Sequence, residues 1–162
     1  MDSETITGKL KQHFGEGIIQ ADETSGMLTV IVPAGIIHPL VRFLKEDLGF
    51  VFLTDLTGVH YPEKELPFAV VYHLHNLADR IRIRIRTFLP EEDPLIPSVT
   101  DLFSAANWME RETYDFYGIL FQGHPNLKRI LNVEYLDYFP MRKEYPLEDQ
   151  EREDKDDRFF GR

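Results

Sequence analysis

The sequence predicts an α+β fold, a two-layer domain with a mixed, mostly antiparallel sheet of about five strands and helices on one face. Isoleucine and arginine alternate through residues 80–87, and successive side chains of a strand point to opposite faces. Apolar residues recur every four positions in residues 3–14, as on one face of a helix. The segments follow in the order α-β-β-α-β-β-β, and a further helix and an extended C-terminal segment come after them.

The elements before residue 88 are predicted from apolar spacing and from the residues that interrupt it. Ser3 is placed to cap the first helix and Gly15 to end it. Two apolar runs flank Asp-Glu-Thr-Ser-Gly, which is typical of a hairpin. Apolar residues from Ile37 to Leu48 mark a second helix that ends at Gly49. The predicted strands span residues 17–21, 27–32, 50–56, 68–75 and 80–87.

A third helix is predicted over residues 108–117. Asn107 can cap its start, with Glu110 three residues further on as the second half of a capping box. Gly118 can take the left-handed conformation just past its end. Within the helix, Arg111 and Asp115 are four residues apart, so the sequence predicts an ion pair between them.

The segments around this helix lack periodicity. Three prolines in residues 89–97 indicate a linker, and Ser98 with Asp101 resembles a capping box that could start a short helix. After the helix the chain is predicted to be extended and ordered until it becomes almost wholly charged. We therefore divide the chain into an α+β domain (1–118), an extended partner-docking segment (119–147) and a charged, solvated tail (148–162).

The composition excludes several classes of protein. The chain has no cysteine, so it offers no thiolate ligand for an iron–sulfur cluster or a structural zinc. Its net charge of −10 argues against nucleic acid or anionic lipid as the main partner. No apolar run approaches the length of a membrane span, and the acidic N-terminus does not fit a signal peptide. We expect a cytosolic protein, or a peripheral one on the cytosolic side of a membrane.

Catalysis has weak support, since no phosphate-binding, nucleophile-elbow or zinc-protease motif occurs. Glu112 and Asp115 could form an acid–base pair with His124 nearby, but an ion-paired structural helix is the favoured interpretation. His73 and His75 share one strand face and could reach one metal, although two ligands are too few. We favour two histidines on a partly exposed sheet face.

The arginines at positions 80, 82, 84 and 86 should share one sheet face. They could bind nucleic acid, but no interleaved aromatic residue is apparent on that face and the net charge opposes this use. They could instead pair with acids on neighbouring strands or contact an acidic partner, and these two alternatives remain open.

The C-terminal segment is rich in aromatic side chains. Tyr135, Tyr138, Phe139 and Tyr145 are too large to leave in water, so they pack either on their own domain or on another chain. An extended, aromatic and basic segment has the composition of an interface, which favours docking on a partner.

Four runs together resemble the signature of the C subunit of the proton-pumping NADH:quinone oxidoreductase, respiratory complex I. They are Ala-Asn-Trp-Met-Glu-Arg-Glu (106–112), Tyr-Asp-Phe-Tyr-Gly-Ile (114–119), Phe-Gln-Gly-His-Pro (121–125) and Pro-Met-Arg-Lys-Glu-Tyr-Pro (140–146). The resemblance extends over residues 5–147. Two positions depart from the family pattern: Glu144 stands where Asp is usual, and Tyr138 where Gly is usual.

The resemblance implies a non-catalytic structural subunit of the peripheral arm, on the cytoplasmic face of the bacterial cell membrane. It implies that the chain braces the D subunit beside the B and I subunits, with the membrane reached only through the complex and no nucleic acid bound. FMN, iron–sulfur clusters and quinone would belong to partner subunits, and this chain would hold no cofactor or metal. The alternatives are the equivalent subunit of a related membrane-bound hydrogenase, or a free-standing acid–base enzyme using Glu112, Asp115 and His124.

The resemblance also assigns expected roles to individual residues. The signature or structural positions are Trp108, Glu110, Arg111, Glu112, Asp115, Gly118, Gly123, His124 and Pro125. The expected partner contacts are Arg129, Pro140, Arg142, Lys143, Tyr145 and Pro146.

Overall fold

A computed structural model describes residues 1–145, which form three α-helices and seven strands. Pro146 and the predicted charged tail lie outside the described residues. The elements are α1 (Ser3–Phe14), β1 (Gln20–Thr24), β2 (Met27–Ile31), α2 (Ile37–Glu46), β3 (Phe52–His60), β4 (Phe68–Asn76), β5 (Ile81–Leu89), β6 (Leu95–Pro97), α3 (Ala106–Tyr117) and β7 (Leu120–Gln122).

The main sheet has five strands in the order β1-β2-β5-β4-β3. All neighbours are antiparallel except β2 and β5, which run parallel because the chain passes through α2, β3 and β4 between them. Ile83 and Ile85 point into one core with Leu40 and Leu44 of α2. The predicted fold class, a mixed sheet with helices on one face, is therefore confirmed.

The first helix has the predicted bounds but a different cap. Asp2, and not Ser3, accepts a hydrogen bond from the amide of Thr5 at 2.8 Å. A 3₁₀ turn at Gly15–Gly17 follows the helix, so β1 begins three residues later than the strand predicted at 17–21. The predicted apolar run began within this turn, where the backbone is not yet extended.

The predicted arginine strand also begins later. Arg80 lies in the preceding turn with φ of 55°, so β5 carries three arginines on its outer face and not four. A residue with positive φ departs from the extended conformation of a strand. The remaining three are Arg82, Arg84 and Arg86.

The predicted linker contains a strand that sequence reasoning missed. β6 pairs in parallel with β7 from Leu95↔Leu120 to Pro97↔Gln122 and forms a second, two-stranded sheet. Three residues are too few for a periodic signal. The short helix predicted after Ser98 is a turn, because Asp101 bonds to His38 of α2 and does not cap a helix.

Helix α3 begins at Ala106, which places Asn107 inside the helix and not at its cap. Its other end is as predicted, since Gly118 has φ of 76° in the left-handed region. The helix packs on β3, where Gly58 leaves room for the ring of Tyr117. This contact holds α3 against the main sheet, and the segment after α3 packs on the helix.

Candidate partner-docking site

The inner face of α3 carries a buried carboxylate, Glu110. Its two oxygens accept hydrogen bonds from the Ser98 hydroxyl at 2.7 Å and the Val99 amide at 2.8 Å. Glu110 therefore fastens the segment that precedes the helix, and it does not complete a capping box with Asn107. Burial raises the pKa of Glu110 to about 7, although both hydrogen bonds favour its charged form.

The next carboxylate of α3, Asp115, organises the chain after the helix. Oδ2 accepts hydrogen bonds from the backbone amides of Ile130, Leu131 and Asn132 at 2.8–3.0 Å. Oδ1 accepts from Arg129 at 2.8 Å and from the Asn132 amide group at 3.1 Å. Burial opposes the charge of Asp115, but the bonds from Asn132, Arg129, Leu131 and Ile130 outweigh it and hold its pKa well below the usual range.

Arg129 is buried and bonds only within the chain among the residues that the structure describes. Nη1 donates to the carboxylate and the carbonyl oxygen of Asp115, each at 2.8 Å. Nη2 donates to the carbonyl oxygens of Leu136 and Tyr138 at 2.8 and 2.9 Å. The guanidinium expected to contact a partner is instead a clamp that bends residues 129–138 against α3, because only these acceptors offset the cost of burying its charge.

Arg111 does not form the predicted pair with Asp115. Its guanidinium donates to the carbonyl oxygens of Lys128 and Arg129 at 3.1 and 2.9 Å, and it lies 5.4 Å from the Trp108 ring. Asp115 is buried and paired with Arg129, whereas Arg111 is half-exposed and binds the backbone of the same loop. Arg111 thus holds the same loop from its outer side.

We name residues 129–145 the strap, and its last residues are fixed at the far end of α3. Arg142 donates from Nε to the Tyr117 carbonyl oxygen at 2.8 Å and lies over the rings of Phe68 and Phe139. The Lys143 amide donates to Nδ1 of His60 at 3.0 Å. His60 was not expected at this site, since its partner lies 83 residues away and leaves no local signal.

The outer surface of the strap carries many large apolar side chains, with the charged residues Glu134, Asp137, Lys143 and Glu144 exposed among them. Leu131 is 65% exposed and Tyr135 is 87% exposed, in contrast to the buried polar groups beneath them. Exposed apolar side chains that are grouped on one segment are typical of interaction sites. The other large apolar side chains exposed on the strap are Val133, Tyr138, Met141 and Tyr145.

The remaining predicted residues lie around the strap in different environments. Nε2 of His124 donates a hydrogen bond to the Asn107 carbonyl oxygen at 3.1 Å, and Nδ1 accepts one from the backbone amide of Asn126. His124 therefore closes a turn after Gly123. Gly123 has φ of 84°, which favours glycine. Those of the set exposed at the surface are Trp108, Glu112, Gly123, Pro125, Lys143 and Tyr145, and Pro140 is half-buried.

The acid–base alternative receives no support from this geometry. Asp115 is buried with both oxygens occupied, Glu112 is exposed, and both ring nitrogens of His124 are engaged by backbone groups. A general base needs free access to a substrate proton, which Asp115 lacks. Its depressed pKa also makes it a poor base near neutral pH.

His73, one of the two histidines predicted on a face of β4, is held by neighbours within the chain. Nε2 of His73 accepts a hydrogen bond from Nε of Arg84 at 2.9 Å, and Nδ1 of His73 lies 3.5 Å from the Asp55 carboxylate. Within residues 1–145 no group of three or more histidine, aspartate or glutamate side chains is arranged to hold a metal ion. In the same part of the chain, no helix combines the length and apolarity needed to cross a bilayer.

Two solved structures are similar to this chain in fold. A trypsin-resistant fragment (1-134) of Nqo5 is similar with a TM-score of 0.67 and 36% identity, covering 75% of this chain and 98% of the fragment. A chain of the membrane-bound sulfane sulfur reductase, an archaeal respiratory membrane complex, has a TM-score of 0.77 and 25% identity over 89% of this chain and 85% of its own. The fold of this chain is thus shared with a chain of a membrane-bound respiratory complex.

The chain belongs to the family described as respiratory-chain NADH dehydrogenase, 30 Kd subunit, which matches residues 30–151. The C subunit of the NADH-quinone oxidoreductase of Citrifermentans bemidjiense is 42% identical over 90% of this chain and 90% of its own length. The C subunit of the Brucella ovis enzyme is 42% identical over 88% of this chain and 71% of its own length. The resemblance to the C subunit of complex I is therefore confirmed, and the chain is a subunit of a multi-subunit NADH-quinone oxidoreductase.

Proposed function

We propose that this chain is a non-catalytic structural subunit of the peripheral arm of complex I, on the cytoplasmic face of the membrane. In this role it braces the D subunit beside the B and I subunits, and the strap is the part that docks on them. The observation that carries the proposal is the strap itself, which is fixed to its own domain by buried polar groups and presents apolar side chains outward.

The division of the strap into two faces supports docking. Its inner face is held by the Asp115–Arg129 pair and by Arg142, so its conformation is set before a partner arrives. A segment that is already ordered loses less conformational entropy on binding. Its outer face can then gain roughly 1.5–3 kcal/mol for each large apolar side chain that becomes fully buried.

The composition supports a role without a redox centre in this chain. A chain without cysteine has no thiolate for an iron–sulfur cluster. We assign FMN, the clusters and quinone to partner subunits, and no catalytic, cofactor-binding or metal-binding residue to this one. Electron transfer and proton translocation would then depend on this chain only through the positions of its neighbours.

The proposal is tested with Leu131→Asp and Tyr135→Asp in the affinity-tagged full chain, produced in cells that assemble the complex. Ile19→Asp is the matched control, since Ile19 is 63% exposed just before β1. We expect the strap variants to co-purify at least about tenfold less of the cluster-bearing subunits, because a buried carboxylate opposes docking. The isolated variants should unfold at the temperature of the parent.

Two results would overturn the proposal. Recovery of the wild-type chain from membranes without other subunits would exclude a structural role in the complex. Equal recovery of partners by the strap variants and by Ile19→Asp would exclude the strap as the docking segment. Turnover of a substrate by the isolated chain would instead favour the acid–base alternative.

The alternative of a related membrane-bound complex, such as a hydrogenase, has one observation in its favour. A chain of the archaeal sulfane sulfur reductase shares the fold over most of its length. The higher identity to the C subunits of NADH-quinone oxidoreductases favours complex I. NADH-dependent reduction of a soluble quinone by the co-purified complex would distinguish the two.

A further inference from the structure

The face of the main sheet opposite α1 and α2 carries a row of arginines on β5. Arg82 lies opposite His75, and Arg84 opposite His73, on the adjacent strand β4. We name these four residues together with Arg86 the arginine face. It contrasts with the rest of a chain whose net charge is −10.

Within residues 1–145, these arginines form no ion pair with an acidic side chain. Among residues 1–145 no carboxylate lies within 4.0 Å of the guanidinium nitrogens of Arg82, Arg84 or Arg86. Asp22 and Asp55 each lie two strands away from Arg84 in the pairing register, which corresponds to roughly 10 Å. The alternative in which acids on neighbouring strands pair with the row is therefore wrong for these residues.

Two of the arginines are held in place by uncharged or aromatic partners. Nε of Arg84 donates to Nε2 of His73 at 2.9 Å, which leaves its terminal N–H groups for another acceptor. Burial and the Arg84 charge lower the pKa of His73, so the ring stays neutral and keeps accepting this bond. Arg86 donates to the Tyr61 hydroxyl at 2.7 Å.

The structure also places aromatic rings beside the row, which the sequence did not indicate. Arg86 lies 5.8 Å from the Tyr61 ring and 5.5 Å from the Phe88 ring. The Lys64 ammonium lies 4.5 and 4.6 Å from the same two rings. Both rings are thus engaged by cations of this chain and are not open platforms for stacking of bases.

We propose that the arginine face binds an acidic segment of a neighbouring protein chain in the assembled complex. Guanidinium groups with free terminal N–H pairs match carboxylates in a bidentate geometry. The net charge of −10 repels long polyanions and anionic membranes, whereas a short segment that meets only this face avoids most of that repulsion. The inference rests on the proposed function, since it requires an assembled complex, but it concerns a surface separate from the strap.

Retention of the chain on isolated membranes gives the first test, measured in washes from about 0.1 M to about 0.5 M NaCl. Arg82→Glu is the variant, since Arg82 is exposed, and Lys9→Glu on the exposed side of α1 is the matched control. We expect the salt concentration that releases half of the chain to fall at least about twofold for Arg82→Glu and to be unchanged for Lys9→Glu. Equal release of the two variants would overturn the inference.

Photo-cross-linking from p-benzoylphenylalanine at position 82 in the assembled complex gives a second, independent test. We expect a cross-link to a peptide of another subunit that is rich in aspartate and glutamate. Cross-links confined to residues 146–162 of the same chain, to a second copy, to nucleic acid or to a peptide without carboxylates would overturn the inference. If the wild-type chain is not retained at low salt, the proposed function fails; if it is retained and Arg82→Glu matches Lys9→Glu, only this inference fails.

Discussion

Arg129 and Asp115 form a buried ion pair at 2.8 Å between two segments that the chain separates by fourteen residues. The arginine donates to the carbonyl oxygen of the same aspartate as well, so both charged and neutral acceptors of one helical residue hold it. The pair converts the end of α3 into the anchor of the strap. The contact explains how a segment without regular structure keeps a defined path.

Asp115→Asn should destabilise the protein strongly. An amide NH₂ in place of either oxygen would face groups that donate hydrogen bonds, and it would leave the Arg129 charge buried and unpaired. Loss of one partner of a buried pair costs about 3–5 kcal/mol, and we expect a similar fall in the free energy of unfolding in urea.

Asp93→Asn is the matched control for this loss, since Asp93 is exposed, and its effect should stay within about 0.5 kcal/mol. The lowered pKa of Asp115 means that its stabilising contribution is present above its ordinary pKa and is lost as the pH falls through and below that range. Equal stability of the two variants at neutral pH would contradict the anchoring role.

Glu110 should make stability depend on pH near neutrality. Its pKa is raised from an ordinary 4.5 to about 7, so its contribution is full below pH 4.5 and is lost as the pH rises through about 7. At 1.36 kcal/mol per pKa unit, the loss should be at most about 3–4 kcal/mol. The glutamine of the Glu110→Gln variant cannot ionise, so this variant should not show the loss of stability.

The measurement is urea unfolding of the parent and Glu110→Gln at pH 5, 6, 7 and 8, a range in which Asp115 stays ionised in the folded protein. The stability of the parent relative to the variant should decrease steadily as the pH rises. Parallel curves for the two proteins would show that Glu110 keeps an ordinary pKa in the folded state.

Gly58→Ala should loosen α3 from β3. A Cβ at position 58 would lie 2.6 Å from Cδ2 of Tyr117 and 3.1 Å from Cγ2 of Thr113, so the helix must move. Overpacking of this kind costs about 1–3 kcal/mol in the free energy of unfolding. Gly8→Ala is the control, because a Cβ there meets nothing within 4 Å and should stabilise α1 by up to about 1 kcal/mol.

His60→Phe should release the end of the strap and leave its start in place. The substitution keeps an aromatic ring beside Phe68 but removes the Nδ1 acceptor of the Lys143 amide. Loss of one hydrogen bond, about 1 kcal/mol, should speed trypsin cleavage after Arg142 and Lys143 about fivefold. Cleavage after the buried Arg129 should keep its rate, and parallel acceleration at Arg129 would indicate global destabilisation.

Local patterns in the sequence were enough for the fold class and for most of the core. The alternation of isoleucine and arginine placed β5 correctly within one or two residues, and the spacing of Leu40, Val41 and Leu44 placed α2. The left-handed turn at Gly118 followed from its position after a helix. These features depend on residues close in sequence, so a linear pattern contains them.

The N-terminal caps of the helices and the pairs of charged residues could not be predicted from local patterns. Asn107, Ser98 and Asp101 each fit a local capping rule, yet Ser98 bonds to Glu110 and Asp101 to His38. A polar side chain with several possible hydrogen-bond partners bonds to the one that folding places beside it. The position of that partner depends on the packing of whole elements and not on sequence spacing.

The sequence by itself determined that this is an α+β chain without cysteine, with an arginine strand and the signature of the complex I family. The tertiary structure alone decided that Asp115 meets Arg129, and that His60 meets the Lys143 amide from 83 residues away. Helical spacing had instead suggested Arg111 as the partner of Asp115. The ion pair formed with Arg129 because burial makes an unpaired charge costly, and Arg129 is the cation that folding carries to the buried side of α3.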